Sequence, residues 1–302
     1  MGRLRDRVAE TIRDQRLWSP DDRVAVAVSG GLDSVVLLDV LLATAGLHRG
    51  RLSVVTVDHG TRAESAGDAD FVEALAQGRG LPCHRADLSL GHGASEAELR
   101  SARFAVFACL DVDRVALAHH RDDQAETVLL SLLRGSGSRG LAGMAFRRDR
   151  YVRPLLAVPR QDLVDHARAH GLAWREDASN ADPRYLRNRV RAELIPLLED
   201  LRPGAAAALS RSATWAAEDD ALLTTLAAEQ LGLDDGTLST LALRVAPRAL
   251  ARRAVASLDR ALTAAQIDAI LAAADRGSGT VHLSGGSVVR IDGLSVSIHH
   301  DA

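Results

Sequence analysis

Hydrophobic and polar positions alternate between two periods along residues 1–170. Short apolar runs of strand type occupy Val24–Val28, Leu52–Val57, Cys83–Leu88, Val115–Ala118 and Tyr151–Leu156. Between them the apolar positions recur at helical spacing over Ser34–Ala45, Asp68–Gln77, Ser95–Leu110 and Asp123–Leu133, and Arg160–His170 follows in the same style. Strands alternating with helices predict an α/β fold, a doubly wound parallel sheet with helices on both faces. Ligands of such sheets sit at the carboxyl ends of the strands, near the point where the winding reverses. The segments of chemical interest below all follow a predicted strand.

The pattern changes after Arg202-Pro203-Gly204. Ala205–Leu231 reads as one long Ala-rich helix with little arginine. Beyond it come two helical segments, Pro247–Leu258 and Thr263–Ala274. A strand pair, Thr280–Leu283 and Ser287–Ile291, closes around Gly285-Gly286. The expected organisation is an α/β domain over 1–203, a helical connector over 204–246 and a small α+β domain over 247–302.

The first strand runs directly into Ser29-Gly30-Gly31-Leu32-Asp33-Ser34 and then into a helix. Two glycines let the backbone turn sharply and bring successive N–H groups towards a ligand. The helix that follows aims its own free N–H groups at the same point, which suits an anion. Asp33 adds negative charge to that pocket, a conflict that a divalent cation between carboxylate and phosphate removes; this suggests Mg²⁺ with a nucleotide. All 37 basic side chains are arginine. A Walker-type loop needs lysine, so that class is excluded, and no Gly-x-Gly-x-x-Gly fingerprint follows the strand.

The fourth strand ends in His119-His120-Arg121-Asp122-Asp123-Gln124-Ala125-Glu126-Thr127. On a helix, Asp123 and Glu126 lie one turn apart on one face. They read either as charge partners of a helix N-terminus, with Asp122 as cap, or as a metal-and-acid site whose hard oxygens favour Mg²⁺ over zinc. Asp58-His59-Gly60 after the second strand reads as a turn. The run from Arg134 to Gly143 is either a flexible linker or a mobile loop whose Arg134 and Arg139 clamp an anion.

Net charge is only −3, but it is unevenly spread. Residues 147–211 carry more arginines than acids, whereas both flanks carry an acid excess. Within that segment Tyr185, Arg187, Asn188, Arg189 and Arg191 form a mixture suited to phosphate and base contacts, or else a solvated face. Cys83 and Cys109 form no Cys-x-x-Cys pair, which argues for a reducing compartment and against a cysteine-ligated cluster. No signal-type or membrane-spanning stretch stands out, so the expected location is the cytoplasm. The oligomeric state is left open, a homodimer included.

The Ser29–Ser34 motif resembles the PP-loop of the N-type ATP pyrophosphatases, whose fold is adenine nucleotide alpha hydrolase-like. Further stretches resemble one branch, the tRNA(Ile)-lysidine synthase family. They are Glu98-Leu99-Arg100-Ser101-Ala102-Arg103-Phe104, in which Leu99 and Phe104 depart from the family pattern, the His120–Thr127 run, and the Arg-Gly-Ser-Gly loop ending Gly140-Leu141-Ala142-Gly143-Met144. Arg153-Pro154-Leu155-Leu156, Trp174–Asp182 and Tyr185–Arg191 complete the set, which spans about residues 20–200.

The resemblance implies ligation of free L-lysine to C2 of the wobble cytidine of a CAU-anticodon tRNA(Ile), through an adenylated cytidine, with release of pyrophosphate and AMP. ATP would be the co-substrate, held by Ser29, Gly30, Gly31, Leu32, Asp33, Ser34, Asp58 and His59. Asp33 and Asp123 would share Mg²⁺. Glu126 would hold the lysine amine or take its proton, Arg100 or Arg103 would neutralise the α-phosphate, and His120 would complete the catalytic set. Arg134, Arg139, Arg175, Tyr185, Arg187, Asn188 and Arg191 are the expected tRNA contacts. Longer family members carry a further C-terminal domain that is not expected in a sequence ending at Ala302.

Three other readings compete. A 2-thiocytidine synthetase type would want clustered cysteines, which Cys83 and Cys109 do not supply. An amide-forming ATP pyrophosphatase such as NAD synthetase leaves the basic Tyr185–Arg191 segment unexplained. A binding module with a decayed site predicts lost acids, yet Asp33, Asp123 and Glu126 are present.

Overall fold

The computed structural model describes residues 4–60, 65–88, 90–91, 93–176, 186–233, 236–259, 261–283 and 286–299. Two compact units emerge, one made of residues 1–130 and 144–211, the other of 131–143 and 212–302.

In the first unit, α1 (Leu4–Asp14) leads to β1 (Arg23–Ala27), α2 (Leu32–Ala43), the short α3 (Ala45–His48) and β2 (Arg51–Asp58). Then follow α4 (Ser65–Gln77), β3 (Cys83–Asp87), α5 (Glu96–Cys109), β4 (Arg114–Ala116) and α6 (Arg121–Leu133). The sheet has the order β3-β2-β1-β4-β6-β5 once β5 (Arg147–Arg148) and β6 (Tyr151–Val152) are added; α7 (Ser138–Leu141), which precedes them in the chain, lies in the second unit. Every neighbouring pair is parallel except β5–β6. The chain winds outward from β1 through β2 to β3 and then restarts at β4 on the other side of β1. The winding therefore reverses between β1 and β4, and a crevice at their carboxyl ends follows.

α2 is apolar nearly all round, and Val35, Val36, Leu37, Leu38, Val40 and Leu41 are all buried. A helix with no polar stripe must be covered on every side; α2 packs on β1, α1 and α8 (Arg160–Ala169). It thereby fixes the start of the glycine-rich turn against the middle of the core. The unit continues through α9 (Leu186–Arg189), one π-helical turn over Val190–Leu194, α10 (Ile195–Leu201) and the first part of α11 (Ala205–Leu231).

The expected strand Tyr151–Leu156 is cut short at Val152. Pro154 has no N–H to give to a ladder, and the chain turns instead, with Leu156 N donating to Arg153 O at 3.2 Å. Helix α2 begins two residues before the expected Ser34, so Asp33 and Ser34 lie in its first turn.

The second unit contains the rest of α11 together with β7 (Thr237–Ser239), α12 (Thr240–Val245), α13 (Arg248–Leu258) and α14 (Ala264–Arg276). β8 (Gly279–His282), β9 (Val288–Ile291) and β10 (Ser295–His299) complete an antiparallel sheet of order β7-β10-β9-β8. The expected strand pair is present as β8 and β9, and β10 and β7 extend the sheet beyond β9. Leu243, Ala251, Val255, Ile270, Leu271, Val289 and Val296 form its core.

Candidate active site at the carboxyl ends of β1 and β4

Ser29, Gly30 and Gly31 turn the chain from β1 into α2. Gly30 has φ +85°, a left-handed conformation that L side chains rarely adopt. The Ser34 hydroxyl accepts from Ser29 N at 3.2 Å and donates to Gly31 O at 2.8 Å, bracing the turn from inside the helix. Gly31 is the N-cap and offers no side-chain acceptor. The N–H groups of Leu32 and Asp33 at the start of α2 have no partner within the helix, and an anion supplies what a cap does not.

Asp33 extends from the first turn of α2 towards the end of β4. Its Oδ2 lies 3.5 Å from His120 Nε2, and the same nitrogen lies 3.4 Å from Asp123 Oδ2. One imidazole thus stands between two carboxylates from two elements. His120 N also donates to Asp123 Oδ2 at 3.0 Å, so Asp123 caps its own helix as well as facing the crevice. Burial lowers the basicity of His120, but hydrogen bonding to Asp33 and the charges of Asp123, Asp33 and Asp122 outweigh it and raise its pKa. Burial raises Asp123, and the charge of His120, the His120 N–H and Arg187 reverse this, leaving it below the usual carboxylate range. Burial drives His119 down to about 3, so it is a neutral imidazole at physiological pH.

Glu126, one turn further along α6, is 1% exposed. Arg187 Nε donates to its Oε2 at 2.8 Å, Arg191 Nη2 to the same oxygen at 3.1 Å, and Arg191 Nε to Oε1. Both arginines also reach Asp123 Oδ1, at 3.4 Å from Arg187 and 2.9 Å from Arg191. The π-helical turn begins between them, and such turns recur at functional sites.

The donor set fits a hard divalent cation. Asp33 Oδ1 is buried without a hydrogen-bond partner, and the oxygens available are carboxylates, as Mg²⁺ prefers when phosphates complete its shell. Among the described residues no group of three or more His, Cys, Asp and Glu side chains forms a self-sufficient metal centre. A metal here would depend on a phosphate ligand.

The other expected residues distribute as follows. Arg100 and Arg103 lie one turn apart on α5, whose start is fixed by a capping box between Ser95 and Glu98. Arg100 stacks over Phe104 with Cζ 5.0 Å from the ring centroid. Asp58 Oδ1 accepts from Gly60 N at 2.8 Å, holding the turn after β2. Burial and the nearby charge of Arg103 lower His59. Arg175 lies against the glycine turn: its N donates to Gly30 O at 2.9 Å and its guanidinium sits over Phe71. Arg134 and Arg139 belong to the second unit. Tyr185 lies outside the described residues, as do Asp177–Asp182.

Sequence reading gave no role to Arg160 or Arg153, and counted His119 only as one of two histidines ending the fourth strand. Arg160, at the start of α8, has Nε 3.8 Å from Asp33 Oδ1. His119 and Arg153 end two adjacent strands and each keeps a buried nitrogen without a partner. The only available signal was position: both follow a strand, and Arg153 stood inside the quoted Arg153–Leu156 stretch.

Residues 3–198 match the PP-loop domain family. A tRNA(Ile)-lysidine synthase of Solibacter usitatus is 44% identical over 261 residues, covering 79% of this chain and 58% of that protein. One of Nocardia farcinica is 42% identical over 282 residues, covering 87% of this chain and 86% of that one. The chain thus spans under two thirds of the Solibacter relative and most of the Nocardia one. The U34-tRNA thiolase NcsA of Methanococcus maripaludis, solved with its [4Fe-4S] cluster, shares the fold at TM-score 0.57 and 17% identity over 71% of this chain and 78% of its own. The matched family, the identity to these relatives and the glycine turn at the winding reversal agree: the chain belongs to the tRNA(Ile)-lysidine synthase family of PP-loop proteins.

Proposed function

We propose that this protein ligates free lysine to C2 of the wobble cytidine of a CAU-anticodon tRNA(Ile), in two steps that use one ATP. In the first, the cytidine O2 attacks the α-phosphate and pyrophosphate leaves. In the second, the lysine ε-amine attacks C2, the C2–O bond breaks, AMP departs with that oxygen and the amine loses a proton.

The observation that carries this reading is the convergence of Asp33 and Asp123 on His120, with Glu126 one turn behind and two arginines across it. The N–H groups of the glycine turn and the start of α2 hold the pyrophosphate. Asp33 and Asp123 would hold Mg²⁺, which when bound offsets charge on the leaving pyrophosphate. Arg100 or Arg103 neutralises the α-phosphate. Glu126 anchors the attacking amine and takes its proton. The target base leaves the anticodon stack to reach this crevice, as base-modifying enzymes require. The ATP chemistry belongs to residues 1–203, with 204–302 in a supporting role.

Incubation of a tRNA(Ile) transcript with ATP labelled at the α-phosphate, without lysine, tests this. The expected result is label on the tRNA with pyrophosphate in solution, and discharge of labelled AMP once lysine is added. Pyrophosphate release with no labelled tRNA under any condition contradicts the two-step reading.

A further inference from the structure

The carboxylate of Glu126 is covered by cations. Arg187 and Arg191 place three N–H donors on its two oxygens, and both also reach Asp123 Oδ1. Exposure rises outward through this cluster, from 1% and 10% for the Glu126 and Asp123 side chains to 26% for Arg187 and 41% for Arg191. The guanidiniums therefore lie on the solvent side of the carboxylates. Two acids are matched by two arginines, charge for charge. An ammonium added to this buried set finds no carboxylate left to balance it, and burying an unpaired cation is costly. A substrate amine must displace arginine rather than join it.

The segment that carries the arginines shows what could draw them off. α9 packs on the π-helical turn and that turn on α10, while the ion pairs of Arg187 and Arg191 tie the segment to α6. The two arginines stand four residues apart, so one helical face presents both. Arg189, between them, is held within its own segment by Glu193, Nη2 to Oε2 at 3.2 Å. A guanidinium exchanges a carboxylate most readily for a phosphate, which accepts the same two parallel N–H bonds. The charge of Asp33, in the first turn of α2 beside the glycine turn, is already felt at Arg191.

We propose that Arg187 and Arg191 bar the amine site at Glu126 until a phosphate group of an incoming substrate draws them away, so that lysine binds after its anionic co-substrate. ATP and the tRNA backbone both supply such a phosphate. This rests on the reading of the protein as a lysine ligase in which Glu126 receives the amine. The order is set by charge. One ammonium and two guanidiniums cannot share Glu126 and Asp123, whereas carboxylates released by the arginines need a cation. Lysine and the phosphate ligand then strengthen each other's binding by the same factor.

Calorimetric titration of lysine, with Mg²⁺ throughout, tests this in four arms: wild-type protein alone, with α,β-methylene-ATP, with a CAU-anticodon tRNA(Ile) transcript, and with both. Lysine is expected to bind about 10- to 100-fold more tightly in the arm that holds the effective phosphate than to the protein alone. A gain with the analogue alone assigns that phosphate to ATP, and a gain that needs the transcript assigns it to the RNA backbone. When Arg187→Gln and Arg191→Gln are combined, the amides carry no charge to compete with the amine. Lysine then binds without either ligand and the gain shrinks towards one-fold, with each single variant falling between. Equal lysine affinity in all four wild-type arms overturns the assignment while the ligase reading stands. So does a gain that persists undiminished in all three variants. No lysine bound in any arm, and none incorporated into tRNA when ATP is supplied, overturns both.

Discussion

Arg191 grips Glu126 through both Nε and Nη2, and the same Nη2 reaches Asp123 Oδ1 at 2.9 Å. Two carboxylates one turn apart on α6 thereby share one guanidinium from a segment 65 residues away. Burial works against a charged Arg191, but the bond to Glu126 and the charges of Glu126, Asp123 and Asp33 raise its pKa. The acids are thus kept in a setting that welcomes a cation. Both oxygens of Glu126 are engaged by arginine N–H donors, so the proposed role for it requires an amine to replace one of them.

Glu126→Gln keeps the shape and removes the charge. The amide can neither take a proton from an amine nor balance Arg187 and Arg191. Lysine transfer is expected to fall by about 10²- to 10⁴-fold, while tRNA-dependent pyrophosphate release changes much less. Following the two products separately checks this, and an unchanged lysine yield removes Glu126 as base or anchor.

Asp33→Asn tests the metal assignment at the first step. Asp33 Oδ1 is buried without a hydrogen-bond partner, so an amide there leaves the cation one charge short. Pyrophosphate release is expected to drop by about 10²-fold or more, and chelation of divalent ions abolishes it in the wild type. Normal release in the variant contradicts a metal held by Asp33.

Gly30→Ala isolates backbone strain. An added Cβ finds ordinary room, its nearest neighbour being Phe71 Cδ1 at 3.5 Å. The left-handed φ of +85° is the obstacle, at a cost of about 1–2 kcal/mol for an L residue. A lower melting temperature and a raised KM for ATP are expected from thermal denaturation and initial rates.

His48 gives a pH dependence of stability away from the site. Its Nδ1 accepts from Gly50 N at 3.0 Å, which leaves Nε2–H to donate to Leu41 O at 2.8 Å. Burial lowers its pKa in the fold, whereas the unfolded chain protonates it near pH ~6.5. The unfolded state therefore binds more protons as the pH falls below that value, and stability declines with a slope of up to about 1.4 kcal/mol per pH unit. Denaturant titrations between pH 7 and 5 should show a shallower decline in His48→Gln.

Much of the fold was legible because its signals are local. The helix Ala205–Leu231 coincides with its expected bounds, and β1 and α2 announce themselves by apolar runs around Ser29–Ser34. The turn at Arg153 was hidden inside an apolar run whose proline was the one contrary sign. β7 and β10 are only three and five residues long, too short for their alternation to stand out as strands before the sheet pairs them. The pairing of Arg187 and Arg191 with Glu126 is long-range. In the sequence those arginines resembled a nucleic-acid patch, and nothing local tied them to α6.

The most direct test of the account is mass spectrometry of the nucleosides from a CAU-anticodon tRNA(Ile) transcript incubated with the protein, Mg²⁺, ATP and isotopically labelled lysine. The account predicts a labelled cytidine derivative heavier than cytidine by lysine minus water, at the wobble position. Unmodified cytidine there, with pyrophosphate still released, would contradict it.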